Sequence, residues 1–316
     1  MPPQLSVIIV SYNTRSLTLE CLRVLQAELR TSLAEVFVVD NASTDGSADA
    51  VREAFPEVRL ITNPRNAGFG SANNLALAQA HSRYLLLLNT DAFPRLGAVR
   101  VLIDYLDRHP AVGVVGPRLV YKDGSLQQSC FRFPTPVAAW AENVGMTRVF
   151  RRYATLDDYR GWDHAAERSV DFVIGACLLL RREVYEQVGG FDERFFMYQE
   201  EADWQRRIHE AGWSVAFTPA AEVVHLAGAS GQAEPARISG HFFESLDKYV
   251  LKHHGVLGFL LVRGAMLVGC SVRAVGWAVV ALAAPHRRKA AVQRAWQHAQ
   301  LVVRQLLTGL PAGGPA

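Results

Sequence analysis

The residues best suited to chemistry are carboxylates and one histidine placed where apolar runs end. "LLLLNTDAFP", Leu85 to Pro94, is built for a buried strand yet closes on Asn89 and Asp91. A buried carboxylate must be neutralised, hydrogen-bonded or set on a cation. Asn89 and Asp91 share one side of an extended chain, so both can face a divalent ion carrying phosphate oxygens. "FDERFFMYQEEADWQRR" offers a second acidic group, Glu200, Glu201 and Asp203, after aromatic residues and at the start of a helical pattern. Such acids complement a helix macrodipole. Adjacent carboxylates in an apolar setting also raise one another's pKa, which suits a general base. "AEVVHLAGAS" ends another β-branched run with His225, a candidate second ligand beside Asp91 and otherwise an ordinary packed histidine.

Two polar stretches belong with these. Asp40 opens "DNASTDGS", which reads as a turn and also as a carboxylate able to accept hydrogen bonds from a nucleobase or ribose. "NPRNAGFGSANN", with Arg65, Asn66, Gly68 and Asn73, follows a strand and opens a helix, where backbone N–H groups can hold a phosphate. Its Gly68 and Gly70 imitate the start of a dinucleotide fingerprint, but Asn73 replaces the third glycine and the loop does not follow the first strand.

The elements that must position these groups alternate. "LSVIIVSYN", "AEVFVVD", "VRLITN" and "YLLLLNTD" read as strands, with helical patterns between them through about residue 115. This predicts an α/β fold, a mostly parallel sheet flanked by helices, with ligands outside the carboxyl ends of the strands. Residues 120–169 are less regular and read as a loop-rich insertion over that cleft. Regular structure resumes at "VDFVIGACLLLRREVYEQVGGFD", where Asp171 can meet substrate hydroxyls and Gly175 permits close approach.

Composition narrows the classes. The 316 residues are 50% hydrophobic and 20% charged, an ordinary globular composition, and the net charge of +3 argues against nucleic-acid binding. Cys21, Cys130, Cys177 and Cys270 are scattered without a CxxC pair, which fits a reducing compartment. "MPPQLSVIIVSYN" does not read as a signal peptide, so the catalytic part is expected in the cytoplasm. From Val256 to Ala284 the chain is almost wholly apolar, interrupted by Arg263 and Arg273, and "HRRK" follows. Arginines are expensive at a bilayer centre, so an interfacial or hairpin helix that lets them snorkel is expected, with the basic run on anionic lipid. A helix packed on the domain or on a second subunit, in a homo-oligomer, is the alternative.

Taken in order, "SVIIVSYN", "VVDNASTDGS", "NAGFGSANN", "LLLLNTDA", "GACLLLRREVYEQVGGFDERFFMYQEEADWQRR" and "VVHLAGAS" resemble inverting glycosyltransferase family two, especially its rhamnosyltransferase-like branch, over roughly residues 4–255. The resemblance implies a GT-A fold. Residues 1–115 would form the nucleotide-sugar-binding half, 116–255 the acceptor-binding and catalytic half, and 256–316 a helical, membrane-associating tail. It places the nucleoside on Ser11, Tyr12 and Asp40, and a Mg2+ or Mn2+ ion on Asp91 and His225. Asn89 stands where many relatives carry another acid. Glu201 is the implied catalytic base, with Glu200 in reserve, and the acceptor is expected near Asp171, Gly175, Asp203 and Trp204, with core packing an equal reading for Trp204. The implied partners are a nucleoside-diphosphate sugar, with dTDP-rhamnose favoured over UDP-linked sugars, and a glycan acceptor on a polyprenyl diphosphate. The implied location is peripheral, at the inner face of the cell membrane. A binding relative without turnover remains the other reading.

Overall fold

The computed structural model describes residues 3–30, 33–145, 159, 161–227 and 235–307. Part of the expected insertion (146–158 and 160) and residues 228–234 therefore lie outside the described residues. The chain divides into two units, 1–133 with 162–245, and 134–161 with 246–316.

The first unit begins as the β-branched runs dictate. Strands β1 (Leu5–Ser11), β2 (Ala34–Asp40), β3 (Arg59–Thr62) and β4 (Tyr84–Asn89) alternate with helices α1 (Arg15–Glu28), α2 (Ser47–Ala54) and α3 (Phe69–Leu77). All pairings among these four strands are parallel, in the order β3-β2-β1-β4. Their apolar side chains need cover on both faces. Thr18, Cys21, Leu22 and Leu25 of α1 supply part of it.

After β5 (Ala92–Pro94), helix α4 (Ala98–Arg108) buries Val99, Leu102, Ile103 and Leu106, the spacing of one helical face. Glu28 accepts from the N–H groups of Gly97 (2.7 Å) and Val99 (2.8 Å), satisfying α4's first-turn donors. The sheet continues through β6 (Val112–Val120), with β7 (Leu126–Gln127) on it and β8 (Cys130–Phe131) outside it. Helix α5 (Pro136–Asn143), in the second unit, starts on a Thr135 cap. Strands β9 (Arg168–Val170), β10 (Phe172–Val173) and β11 (Cys177–Arg181) then precede α6 (Arg182–Val188), α7 (Glu200–Glu210) and β12 (Ser214–His225). Strand β11 runs antiparallel between β4 and β6, so the sheet is mixed beyond its parallel half.

The second unit contains α8 (Pro235–Ala283) from residue 246 onward, kinked at Gly255 (φ 65°), and α9 (Arg288–Leu307). The tail was expected from residue 256, next to that kink, whereas the second unit already takes in the chain from Leu246. The snorkelling expected of Arg263 and Arg273 is corrected here. Arg263 donates to the Gln305 carbonyl (3.3 Å) and to Asp247 (3.2 Å), and Arg273 donates to Asn143 Oδ1 (3.0 Å). Both guanidiniums find protein acceptors, which removes their need to reach water.

Candidate active site

Strand register brings the polar strand ends into one row. Ser11 pairs with Asp40 and Val10 with Asn89, so the carboxyl ends of β1, β2 and β4 lie side by side. Asp40 is buried; one oxygen accepts from Ser43 N–H (3.2 Å) and the other, Oδ1, has no hydrogen-bond partner among the described residues. That open acceptor suits a ligand N–H or O–H. Tyr12 and Arg65 are exposed, whereas the Ser11 hydroxyl is buried against Thr14 (3.2 Å) and Thr18 (2.9 Å).

The loop before α3 is organised by Asn41, which the sequence reading passed over as part of a turn. Its amide donates to Asn66 Oδ1 (2.9 Å) and to the Gly68 carbonyl (3.3 Å), while its Oδ1 accepts from Asn63 (3.0 Å) and Ala67 N–H (3.1 Å). Asn66 in turn accepts from Gly68 N–H (3.1 Å). A buried, fully paired asparagine holds this backbone in one shape. Asn73, expected at the donor, is buried with its amide on the Phe69 carbonyl (2.9 Å).

Asp91 and His225 meet although they are 134 positions apart. Antiparallel pairing sets His225 of β12 against Ala92 of β5, and Leu226 N–H donates to the Asp91 carbonyl (3.0 Å). Asp91 is 2% exposed, with Oδ1 lying 3.3 Å from His225 Nε2 and Oδ2 lacking a hydrogen-bond partner among the described residues. His225 Nδ1 lies 2.9 Å from Gln127 Oε1. With that oxygen as acceptor, the neutral imidazole carries its proton on Nδ1 and turns the Nε2 lone pair toward the carboxylate. Two lone-pair donors converging beside an orphaned oxygen fit a divalent cation. Among the described residues no third His, Cys, Asp or Glu joins them, so phosphate or water oxygens would complete such a site.

The acidic helix start is tied to the same row. Asn89 N–H donates to the Ala176 carbonyl (2.9 Å), and the preceding Gly175 N–H donates to Glu201 Oε1 (3.1 Å). A Cβ at Gly175 would sit 3.1 Å from Glu201 Oε1 and from the Phe69 ring, so the close approach expected there is made by Glu201 itself. Glu201 is half-buried, and burial holds its carboxyl above the usual range against the Gly175 hydrogen bond. Glu200 is 2% exposed, and burial, then the Glu201 charge, raises it well above an ordinary carboxyl.

Asp203 and Trp204, expected at the acceptor, are fully enclosed. Asp203 pairs with Arg207 (3.0 Å), and the Trp204 indole donates to the Gly189 carbonyl (2.7 Å). Neither side chain presents a surface to a ligand, which runs against the expected acceptor contact of Asp203 and, for Trp204, is the core packing held as its equal reading. Asp171 is half-buried; it accepts from Phe133 N–H (3.0 Å) and faces Arg132 (3.5 Å). Gln205, missed from sequence, holds Val173 through both backbone groups (2.9 and 2.7 Å), fixing β10 to α7.

Tyr198 (φ 67°) and Gln199 (φ 63°) are left-handed just before Glu200. Such backbone persists only where its surroundings hold it. Phe69 N–H donates to the Phe196 carbonyl (3.0 Å), and the Ser245 hydroxyl donates to the Met197 carbonyl (2.7 Å). Gly68 (φ 87°) leaves room for the Phe196 carbonyl, which any Cβ would strike. Gly68→Ala is therefore expected to destabilise the fold by roughly 1–3 kcal/mol. The lowered denaturation midpoint should be accompanied by a loss of transfer larger than the unfolded fraction explains.

The comparisons with known proteins give the family and the fold. Residues 6–189 match the model of Glycosyl transferase family 2. The chain belongs to that family. It is a glycosyltransferase with a GT-A fold. It is 31% identical over 260 residues to an N-acetylglucosaminyl-diphospho-decaprenol L-rhamnosyltransferase of Mycobacterium tuberculosis, covering 75% of this chain and 84% of that one. A low-salt glycan biosynthesis hexosyltransferase of Haloferax volcanii is 25% identical over 71% of this chain and 68% of its own length. Among solved structures, a Pyrobaculum calidifontis mannosyltransferase in complex with GDP-Man and Mn2+ superposes with a TM-score of 0.55 at 20% identity, over 97% of this chain and 88% of its own.

Proposed function

We propose that this glycosyltransferase moves L-rhamnose from dTDP-rhamnose to a hydroxyl of a glycan carried on a polyprenyl diphosphate, in cell-wall or surface-polysaccharide synthesis at the inner face of the membrane. The similarity to the mycobacterial rhamnosyltransferase supports the donor and acceptor classes. The observation that carries the chemistry is the backbone link from Asn89 through Ala176 and Gly175 to Glu201, which sets a raised carboxyl beside the loop of Asp91.

In this reading Asp40 accepts hydrogen bonds from the nucleoside through its open Oδ1. The loop 65–68, shaped by Asn41, faces the diphosphate, and Asp91 with His225 holds a Mg2+ or Mn2+ ion. When bound, that ion offsets charge on the leaving nucleoside diphosphate. Glu201 takes the proton from the acceptor hydroxyl as its oxygen attacks the anomeric carbon. The C1–O bond to the diphosphate breaks in the same displacement, so the centre inverts without a covalent sugar intermediate, in contrast with paired-carboxylate retaining hydrolysis. Gly175 N–H aims the Glu201 carboxylate, and Asp203 and Trp204 act by holding α7 in place. Asp171 borders the acceptor.

Thermal denaturation with a panel of donors, with and without Mn2+ or Mg2+, tests this. A donor at 100 times its Kd should stabilise the protein by about 2.7 kcal/mol. dTDP-rhamnose is expected to act more strongly than UDP-sugars, and only with metal. Stabilisation by a nicotinamide dinucleotide without metal, or a larger effect of a UDP-sugar, would refute the assignment.

A further inference from the structure

The helical hairpin of the second unit carries an asymmetry of charge and of surface. After Asp247 the sequence contains nine Lys and Arg residues and no Asp or Glu, against a net charge of +3 for the whole chain. Arg263 and Arg273 are turned onto protein acceptors, as described above. In consequence every exposed position between 256 and 283 is apolar, glycine or serine. Leu257 (70% exposed), Val272 (66%), Val279 (57%) and Leu282 (83%) mark this face along the second half of α8.

Helix α9 has two unlike sides. Val292, Trp296, Ala299, Val303 and Leu306 recur at three- and four-residue intervals, and so do Lys289, Gln293, Gln297, Gln300 and Arg304. An open apolar groove of about 520 Å³ is walled by Val275, Ala278, Leu282 from α8 and Val292, Trp296, Ala299 from α9. That groove joins the apolar side of α9 to the apolar face of α8.

The two helices are antiparallel neighbours. The Arg294 guanidinium sits 4.5 Å from the Trp277 ring centroid, and Gln305 lies against Met266 and Arg263. Whatever depth α8 takes in a bilayer, α9 must share. A spanning pose would carry the Lys, Gln and Arg side of α9 through hydrocarbon, which is costly. A flat pose leaves that side in water and places the joined apolar face in the acyl boundary. Arg287, Arg288 and Lys289 at the turn then meet lipid phosphates. Pairing with a second copy would instead bring two tails of the same high positive charge together.

We propose that this hairpin is a monotopic anchor, lying flat in the interface of an anionic phospholipid bilayer with Val272, Val279, Leu282 and Trp296 in the acyl layer. This deepens the reading of a membrane-held acceptor, but its test needs no turnover. The full chain is mixed with phosphatidylcholine vesicles, with or without phosphatidylglycerol, and bound protein is separated by flotation. Strong binding is expected only with phosphatidylglycerol, weakening steeply in high salt. Val272→Lys with Val279→Lys should lower binding about tenfold or more. The denaturation midpoint should stay unchanged, since both positions are exposed. The fluorescence difference between the protein and Trp296→Phe should be quenched more by lipid brominated near the headgroup than near the bilayer centre. Absence of vesicle binding, or stronger quenching from the centre, would overturn the proposal. So would a dimer that the double-lysine variant dissociates while vesicle binding persists. A weak donor response with intact vesicle binding would instead count against the functional reading alone.

Discussion

Glu201→Gln is expected to reduce transfer by about 10²–10⁴-fold while leaving metal-dependent donor binding within about twofold. The amide keeps the shape and can still meet Gly175 N–H through its oxygen, but it cannot take the acceptor proton. Rapid-quench measurement of one turnover, with donor Kd measured in parallel, separates these outcomes; unchanged transfer would remove Glu201 from the mechanism. Glu200→Gln should behave differently. Burial keeps the Glu200 carboxyl protonated well above its ordinary range, and the Glu201 charge adds to this. A neutral amide resembles that protonated state, so the variant should retain most of the activity.

The pH dependence has a definite sign. Both carboxyls are raised in the folded protein, so between their unfolded and folded values the native state binds more protons than the unfolded chain. Their contribution to stability is therefore largest below the unfolded glutamate value of about 4.3 and declines as pH rises through the folded values. Glu200→Gln should flatten that decline. Transfer moves the opposite way, because the base must be ionised: single-turnover rates should fall as pH drops, beginning above the ordinary glutamate range.

Asp91→Asn is expected to weaken donor binding in the presence of Mn2+ by about 100-fold, or about 3 kcal/mol. Binding without metal should change little, since the nucleoside contacts assigned to Asp40 remain. His225→Ala should follow the same pattern. Gln127→Leu, which removes the group facing His225 Nδ1 and leaves both proposed ligands in place, should cost about tenfold. Isothermal titration of the nucleoside diphosphate with and without metal reads all three, and equal loss in both conditions would show that Asp91 holds the loop rather than an ion.

These expectations rest unevenly on what the sequence discloses. The parallel half of the sheet was legible because β-branched runs and helical periods are local signals, and the polar endings of β1, β2 and β4 marked the row to which ligand binding is assigned. The acids at 200 and 201, Asp91 and His225 were named from residue type, strand ends and ordered motifs. Nothing local says that His225 reaches Asp91, because only the pairing of β12 with β5 closes that distance. Nor does any local pattern reveal Asn41, Gln127 or Gln205, whose partners lie elsewhere in the chain and whose importance comes from burial.

Three assignments turned on tertiary structure alone. Asp203 and Trp204 carry the composition of a sugar site, yet helix phase turns both into the protein, where Arg207 and the Gly189 carbonyl occupy them. Gly175 was marked for close approach by a sugar or backbone, whereas the groups that lie against it are the Glu201 side chain and the Phe69 ring. In the tail, sequence established an apolar run broken by two arginines and followed by a basic turn. Where those arginines point depends on acceptors at Asp247, Asn143 and Gln305, between 16 and 130 residues away. Residue order determines which groups can ionise, bury or ligate; only the folded chain decides which of them meet, because burial and hydrogen bonding depend on neighbours that sequence distance does not measure.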